Sequence, residues 1–139
     1  MKHQVSTLTG PLLDRAVALA LGATVRWTRP WEFHDSEPCV RLVAVIGDDP
    51  VDVDPWAPST TWGQGGPILE RAGISLLKET MRTRGSLSWL GVFKGRHTYD
   101  GFEGDVEAED ESALVAGLRA LVIAKLGPEV ELPDVGDEP

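Results

Sequence analysis

Two stretches of the chain, one near each end, carry apolar residues at the spacing of an amphipathic helix. Between Gly10 and Leu21, apolar positions recur three and four residues apart and form one stripe. Its members are Leu13, Ala16, Val17 and Ala20. Thr9 stands in the N-cap position before this stretch, and Gly22 follows it as a left-handed C-cap. We therefore predict a helix over residues 10–21.

The second helical stretch runs from Ser112 to Leu126. Its apolar residues again recur at helical spacing, and Asp110 and Glu111 place negative charge near the positive end of the helix dipole. The dipeptide Gly127-Pro128 ends this helix. From there onward the chain is acidic and contains no basic residue, so we predict an extended acidic tail over residues 128–139.

Four stretches have the patterns of β-strands. Cys39–Ile46 is a β-branched run, and Ile74–Thr80 lies between glycine-containing turns. Leu87–Lys94 is apolar on both alternating faces, which is typical of a strand in the middle of a sheet that is covered on both sides. Phe102–Glu109 alternates apolar with acidic residues, which indicates an edge strand with one solvent-facing side.

The segment 59–73 has a helical pattern that is interrupted by three glycines. Each of these glycines weakens a helix by about 1 kcal/mol relative to alanine. Pro67 nevertheless suits a first helical turn, and the apolar residues after it offer an inward face that ends at Gly73. We predict a short central helix here, which begins as early as Thr61.

These elements predict an α+β fold, arranged as an α-β-α sandwich. A small, mainly antiparallel sheet of about four strands is expected to be packed by the N-terminal and C-terminal helices and by the short central helix. Residues 23–38 and 47–58 contain prolines and are expected to be irregular. We expect a single domain over residues 1–127, followed by the acidic tail.

Composition and charge exclude several classes of protein. The chain has 139 residues, of which 42% are hydrophobic and 25% are charged, and these are ordinary values for a globular domain. No apolar run reaches the roughly 18 residues of a membrane span, so no membrane contact is expected. The single cysteine, Cys39, excludes an internal disulfide framework and suits a reducing compartment such as the cytoplasm. A net charge of −9 argues against direct binding to nucleic acid.

No residue pattern points to catalysis, a cofactor or a metal. Ser75 and Lys78 match the serine–x–x–lysine pattern of penicillin-binding enzymes, but the companion motif needs an asparagine and this chain has none. The three histidines stand far apart and lack metal-ligand spacing. The acidic loop 48–54 lacks the glycine and the terminal glutamate of an EF-hand, so we interpret it as a solvated loop. We therefore name no catalytic residue, metal ligand or cofactor.

The glycine-rich segment 59–71 is the candidate binding surface. Closely spaced glycines let a backbone approach a ligand, and the polar and aromatic side chains beside them can donate hydrogen bonds and stack. The alternative is that these glycines only permit tight packing of a helix against a sheet. We expect the segment to form the wall of a concave surface, with Trp62 at least partly accessible. The candidate binding residues are Ser59, Thr60, Trp62, Gln64, Gly65, Gly66, Glu70 and Arg71.

Three stretches of the chain resemble one known family. They are Thr9–Ala18, Ser59–Ile74 and Leu118–Glu131, and the middle stretch contains the uncommon run WGQGGPI. Their order and spacing are similar to those of the phage NinX-like proteins, which are small proteins of tailed phages and prophages. Residues 24–57 and 98–111 depart from the family pattern. The resemblance implies a phage or prophage origin, and it carries over no enzyme activity, cofactor or catalytic residue.

The sequence leaves two functions open. The first is a non-enzymatic accessory protein that binds a host or phage macromolecule in the bacterial cytoplasm, which the acidic charge and the lack of a catalytic pattern favour. The second is a domain, enzymatic or not, that binds a small molecule or nucleotide in a pocket formed by residues 59–71. Homo-oligomerisation is open as well. Direct DNA binding is supported only by a basic cluster, which solubilising charge on exposed turns explains better. That cluster consists of Lys78, Arg82, Arg84, Lys94 and Arg96.

Overall fold

The folded chain combines three helices with three small antiparallel sheets, in a computed structural model that describes residues 2–28, 42–47, 49–51, 55–80, 87–95 and 104–136. The helices are α1 (Gly10–Ala20), α2 (Trp62–Ala72) and α3 (Ala113–Leu126). The strands are β1 (Lys2–Gln4), β2 (Thr24–Trp27), β3 (Leu42–Ile46), β4 (Asp49–Pro50), β5 (Ile74–Thr80), β6 (Leu87–Gly95), β7 (Gly104–Asp110) and β8 (Glu129–Glu131). A short 3-10 helix, Val5–Thr7, follows β1. The predicted α+β class is confirmed.

All three predicted helices are present close to their expected bounds. α1 carries Pro11 in its first turn, where the missing N–H needs no partner within the helix, and Gly22 follows it with a φ of 78°. α2 ends at Gly73, whose φ of 73° makes it the left-handed C-cap that the sequence predicted. The Ser112 hydroxyl caps α3 by accepting a hydrogen bond from the Val115 N–H at 3.3 Å.

β5, β6 and β7 form one antiparallel sheet with β6 in the centre and β7 at an edge, as the sequence predicted. α3 lies across one face of this sheet. The approach is close because Gly91 of β6 has no side chain: a Cβ built there would stand 2.5 Å from the Ala116 carbonyl oxygen. The opposite face of β6 carries Leu90 and Val92, and both are buried. The central strand is therefore buried on both faces.

The prediction that residues 23–38 are irregular is wrong, because this segment contains β2. β2 pairs with β3, and the end of β3 pairs with β4, which lies within the predicted loop 47–58. Such short strands are stabilised by the partner across the sheet and carry little local signal of their own. The strands divide among three small sheets, whereas the patterns had pointed to one sheet of about four strands. The first part of the predicted strand 39–46 lies outside the described residues.

β1 and β8 bring the two ends of the described chain together. β8 lies in the segment that was expected to be an extended acidic tail, and it pairs antiparallel with β1. Val130 of β8 is only 4% exposed. Farther along, Arg15 donates a hydrogen bond to the Pro133 carbonyl, and the Trp27 indole N–H donates to the Gly136 carbonyl at 3.1 Å. The tail segment is thus held against β1, α1 and β2.

α3 is the central element of the hydrophobic core. Every residue from 114 to 122 on this helix is buried, which is characteristic of a helix that is covered around its circumference. α1, α2 and the sheet of β5 to β7 all pack against it. The largest fully buried apolar side chains of the core cluster are Val5, Leu13, Val17, Leu118, Leu121 and Val122.

Candidate functional site

An open cavity of about 460 Å³ lies between α2, the C-terminal part of α3 and the hairpin of β3 and β4. Small-molecule sites in proteins have volumes of roughly 300–1,000 Å³, so the size of this cavity suits a small ligand. One wall is a single face of α2. That wall consists of Gly63, Gln64, Pro67, Ile68, Arg71 and Ala72.

The cavity has a buried apolar floor and an exposed apolar rim. Trp56 and Leu121 line the cavity with exposed fractions of 7% and 1%. Leu21, Ile46 and Val51 line it with exposed fractions of 38%, 56% and 47%. These three make up half of the large hydrophobic residues that are exposed in the described part of the chain. Exposed apolar groups that collect around one concavity mark a binding surface, whereas scattered ones need no explanation.

Hydrogen bonds fix the floor and one wall of the cavity. The Gln64 side chain clamps the segment before α2: its Oε1 accepts from the Ala57 N–H at 2.7 Å, and its Nε2 donates to the Pro55 carbonyl at 3.0 Å. The Trp56 indole N–H donates to the Asp14 carbonyl on α1 at 2.6 Å. The indole is therefore held in place by α1.

Asp14 and Ser59 connect α1 to the segment that leads into α2. The Asp14 side chain is buried, and one of its oxygens accepts a hydrogen bond from the Ser59 N–H at 2.7 Å. Burial raises the pKa of the Asp14 carboxyl, and hydrogen bonds from the Ser59 side chain and backbone oppose this rise. Ser59 is itself only 3% exposed, so it supports the cavity from behind and does not face it.

Two cations stand among the lining residues of the cavity. Arg71 lies in the last turn of α2 and is exposed to solvent. Lys125 lies in the last turn of α3, and its Nζ is 5.5 Å from the centroid of the Phe93 ring. No carboxylate is present among the described residues that line the cavity. The described part of the lining is therefore largely apolar, with two cations at its border.

Comparison with known proteins agrees with the resemblance seen in the sequence. A family model described as bacteriophage P22 NinX matches residues 4–125. The chain belongs to the phage NinX family. It is accordingly a phage accessory protein. The comparison with curated proteins found no match.

Of the candidate binding residues that were predicted in this NinX-family chain, Gln64 and Arg71 line the cavity. Trp62 is 55% exposed, which agrees with the expected accessibility, but it stands on α2 outside the lining. Thr60 and Glu70 are also exposed and lie outside the lining. The α2 face that carries the cavity is thus adjacent to the face that carries the exposed tryptophan.

The glycines of α2 differ in what surrounds them. A Cβ built on Gly65 would stand 2.4 Å from the Pro58 carbonyl oxygen and 2.6 Å from Leu114, so this glycine permits tight packing. A Cβ on Gly66 would make only an ordinary contact, at 3.7 Å, with the Trp62 ring. A Cβ on Gly63 would meet no heavy atom within 4 Å, and Gly63 lines the cavity.

Of the lining residues within the described chain, the predicted binding residues include only Gln64 and Arg71, and six others, among them Trp56, lie outside the helix-forming segment 59–73. Leu21 lies just after α1, Ile46 and Val51 belong to the β3–β4 hairpin, and Leu121 and Lys125 belong to α3. Each of these residues has an ordinary role in its own element when considered alone. A cation at the C-terminal end of a helix, such as Lys125, is well explained by the helix dipole. No local signal in the sequence could have grouped them.

The described residues can be compared with the patterns that were weighed for catalysis, metal binding and membrane insertion. Ser75 and Lys78 point to opposite faces of β5, because side chains alternate along a strand, so the serine–x–x–lysine match is not a catalytic pair. No group of three or more histidine, cysteine, aspartate or glutamate residues able to hold a metal ion occurs within the described residues. The side chains of the four aspartates in the acidic loop 48–54 are outside the described set. Among the described helices, none is both long and apolar enough to cross a membrane.

The basic cluster that was weighed for DNA binding is only partly within the described residues. Lys78 lies on the α3 side of the sheet, with its Nζ 5.8 Å from the centroid of the Trp89 ring. Lys94 is exposed, and its position on β6 directs it to the other face. Arg82, Arg84 and Arg96 fall outside the described residues. The two lysines that can be compared do not share a surface.

Proposed function

We propose that this phage accessory protein acts by binding a small, largely apolar molecule in the cavity beside α2, in the cytoplasm of the bacterial host. The observation that carries the proposal is the cavity itself, which has a buried floor and a rim of exposed aliphatic side chains. Burial of apolar surface at such a rim is favourable, at about 25 cal/mol for each Å² removed from water. A ligand that covers Ile46 and Val51 would therefore gain affinity from surface that is otherwise left in water.

Close packing supports the same interpretation. Protein interiors are packed as densely as organic crystals and leave few voids larger than a water molecule. This chain packs with such density elsewhere, for example where Gly91 lets β6 approach Ala116 of α3. Gly63 of α2, by contrast, is exposed beside the cavity, and a Cβ built there would meet no heavy atom within 4 Å, so packing does not require this glycine. Alanine at that position would favour the helix, so stability alone does not account for this glycine.

Gly63 offers a direct test of the proposal. The neutral fluorescent dye N-phenyl-1-naphthylamine serves as the probe, because its emission rises when it enters an apolar site. We expect saturable binding to the wild type and to Gly63→Ala, which adds one methyl group. Gly63→Phe places a ring at the cavity wall and should abolish binding. Gly63→Ala should also raise the free energy of unfolding by about 0.5–1 kcal/mol, because alanine is the better helix former.

The two Gly63 variants keep the test decisive. Thermal unfolding first establishes that Gly63→Phe is folded, since a bulky residue in open space need not displace the core. If the dye binds equally well to folded Gly63→Phe and to Gly63→Ala, the cavity is not the binding site. If no saturable binding to the wild type is detected, the proposed function is wrong.

A second candidate function, docking of a host or phage protein, is favoured by a separate observation. Trp62 is 55% exposed at the start of α2, outside the cavity. Tryptophan is enriched among the residues that dominate protein–protein binding energies, because a rigid ring covers a large area at low entropic cost. An exposed tryptophan beside glycines on a helix is therefore a candidate anchor for a partner.

The docking function predicts that Trp62→Ala weakens partner capture more than it weakens the fold. Because the ring is more than half exposed, we expect the free energy of unfolding to fall by less than about 1 kcal/mol, against roughly 3–5 kcal/mol for a fully buried tryptophan. The wild-type protein, used as bait in phage-infected host cells, should capture a partner protein that Trp62→Ala fails to capture. Leu77→Ala, which alters an apolar residue of similar exposure on β5, should still capture that partner. Capture that is unchanged by Trp62→Ala would exclude docking through this ring.

A further inference from the structure

We infer that the ligand of the cavity is an amphipathic acid: an apolar body with a single carboxylate, sulfonate or phosphate group that binds Arg71, with Lys125 in support. This inference rests on the proposed function, because it assigns a ligand class to the same cavity. The inference depends on which side chains line the same cavity. Two cations, Arg71 and Lys125, stand beside an apolar floor, and no carboxylate occurs among the described lining residues.

The charge of the described lining residues is opposite to that of the whole chain. The protein carries 22 acidic residues against 13 basic ones, for a net charge of −9. A surface patch drawn at random from this chain would be expected to contain more acid than base. The lining residues within the described part of the chain instead include Arg71 and Lys125 and no acid. The local sign of charge therefore suits an anion, although the net charge does not.

Helix dipoles offset only part of this positive charge. Arg71 and Lys125 each lie in the last turn of a helix, where about half a negative charge accumulates on the unpaired carbonyls. The ends of α2 and α3 together therefore cancel about one of the two positive charges. Counted over the described lining residues, a net charge of about +1 remains, which is sufficient to pair with one monoanionic group.

Arg71 is the better placed of the two cations to bind an anion directly. Lys125 is already engaged with the Phe93 ring at 5.5 Å. Arg71 is exposed, and it has no hydrogen-bond or ion-pair partner within the described residues. Its planar guanidinium can donate two parallel hydrogen bonds to a carboxylate, sulfonate or phosphate, which a lysine cannot match. Arg71 therefore binds and orients the anionic group, while Lys125 contributes electrostatic attraction but does not fix the orientation of that group.

Two dyes with the same aromatic body separate the apolar contribution from the anionic one. N-phenyl-1-naphthylamine is neutral, and 8-anilino-1-naphthalenesulfonate carries one sulfonate on the same ring system. We expect the wild type to bind the sulfonate dye more tightly than the neutral dye. Raising the salt concentration from about 0.05 M to about 0.5 M should weaken binding of the sulfonate dye alone, because salt screens the attraction between the charges.

Substitution of Arg71 then assigns this preference to one side chain. Arg71→Gln should weaken binding of the sulfonate dye by about five- to tenfold, the range for loss of a charge-assisted hydrogen bond at a partly exposed site, and should leave the neutral dye unaffected. Arg71→Lys keeps the charge but loses the paired donors, so it should restore only part of the affinity. Lys94→Gln makes the same change in net charge on the opposite face of the β5–β7 sheet and should leave both dyes unaffected.

The outcomes separate this inference from the function on which it rests. If neither dye binds, the proposed function is wrong, and the assignment of an amphipathic acid as the ligand is wrong as well. If the neutral dye binds as well as the sulfonate dye, or if Arg71→Gln weakens both dyes equally, the cavity binds apolar molecules and the assigned ligand class is wrong. Thermal unfolding of each variant confirms that the affinities compare folded proteins.

Discussion

Asp14 shows what burial does to a single ionisable side chain. Desolvation raises its pKa above the ordinary value of 3.8, although Ser59 donates hydrogen bonds to it from both its side chain and its backbone. A raised folded-state pKa means that the folded chain holds the proton more tightly than the unfolded chain does. The stability contributed by this group is therefore fully present below the unfolded-state pKa and is lost as pH rises through the folded-state pKa.

The pH dependence of stability should therefore change when Asp14 is replaced. Asparagine cannot ionise, and its Oδ1 can still accept from the Ser59 N–H, so we expect Asp14→Asn to gain stability relative to wild type as pH rises above the ordinary pKa of 3.8. Ser59→Ala removes a donor to the carboxylate and should make the loss of stability with rising pH steeper. Urea unfolding of the three proteins at increasing pH measures both effects. A difference between Asp14→Asn and wild type that is constant or falls with pH would contradict the prediction.

The glycines of α2 show that the role of a single residue cannot be predicted from the sequence alone. Gly63 and Gly65 are two residues apart on one helix, and their composition and spacing give no reason to treat them differently. The difference lies in what faces them, since the Pro58 carbonyl stands against Gly65 while open space lies beside Gly63. Gly65 thus permits tight packing, but its neighbours are Pro58 and Leu114 of α3 and not the sheet that the packing interpretation had named. This packing role does not extend to Gly63, because no residue of a distant segment fills that space.

At the scale of elements, Arg119 joins α3 to two other parts of the fold from a buried position. Its exposed fraction is 4%, and its Nε donates to the Leu8 carbonyl at 2.9 Å. Its Nη1 donates to the Glu109 carbonyl at 2.9 Å and pairs with the Asp110 carboxylate at 3.1 Å. The guanidinium thus fixes both the end of β7 and the entry to α1 on the central helix. A buried charge of this kind is tolerated only because acceptors surround it.

Removal of this guanidinium should be costly, because its partners remain buried without it. We expect Arg119→Leu to lower the free energy of unfolding by about 2–4 kcal/mol, since two backbone carbonyls and a partly buried carboxylate lose their donor. Asp110→Asn keeps one acceptor oxygen, which can serve Arg119 or the Ser112 N–H but not both, and leaves the two backbone acceptors of Arg119 in place, so its cost should be smaller. Denaturant unfolding compares the two variants. A loss below about 1 kcal/mol for Arg119→Leu would mean that the contacts are incidental.

The elements that the sequence predicted correctly are those whose signal is local. α1 and α3 have apolar stripes and terminal glycines, and β6 is apolar on both faces. β2 was missed because four residues followed by a proline-containing stretch carry no periodicity, and its stability comes from pairing with β3. The same holds for β1 and β8, whose pairing partners are separated by most of the chain. Local patterns therefore predicted elements, while contacts between distant segments decided the sheets and the cavity.

At the scale of the whole molecule, both ends of the described chain take part in one core. The Val5 N–H donates to the Pro128 carbonyl at 2.9 Å, and both Val5 and Val130 belong to the core cluster that includes α1 and α3. The acidic segment after α3 is therefore joined to the first residues of the chain through a strand pair and through buried apolar surface. We expect this segment to unfold together with the rest of the domain and not as a separate tail.

Val130→Ala tests this cooperativity at a residue that the acidic composition of its surroundings would not single out. Val130 is 4% exposed, so loss of two methyl groups should lower the free energy of unfolding by about 1–2.5 kcal/mol. Val135→Ala makes the same change at a half-buried position beyond β8 and should cost less than about 0.5 kcal/mol. Tryptophan fluorescence and far-UV circular dichroism should report one coincident transition for both variants. A stability unchanged by Val130→Ala, or an early transition confined to the C-terminal segment, would show that β8 is an independent appendage and not part of the fold.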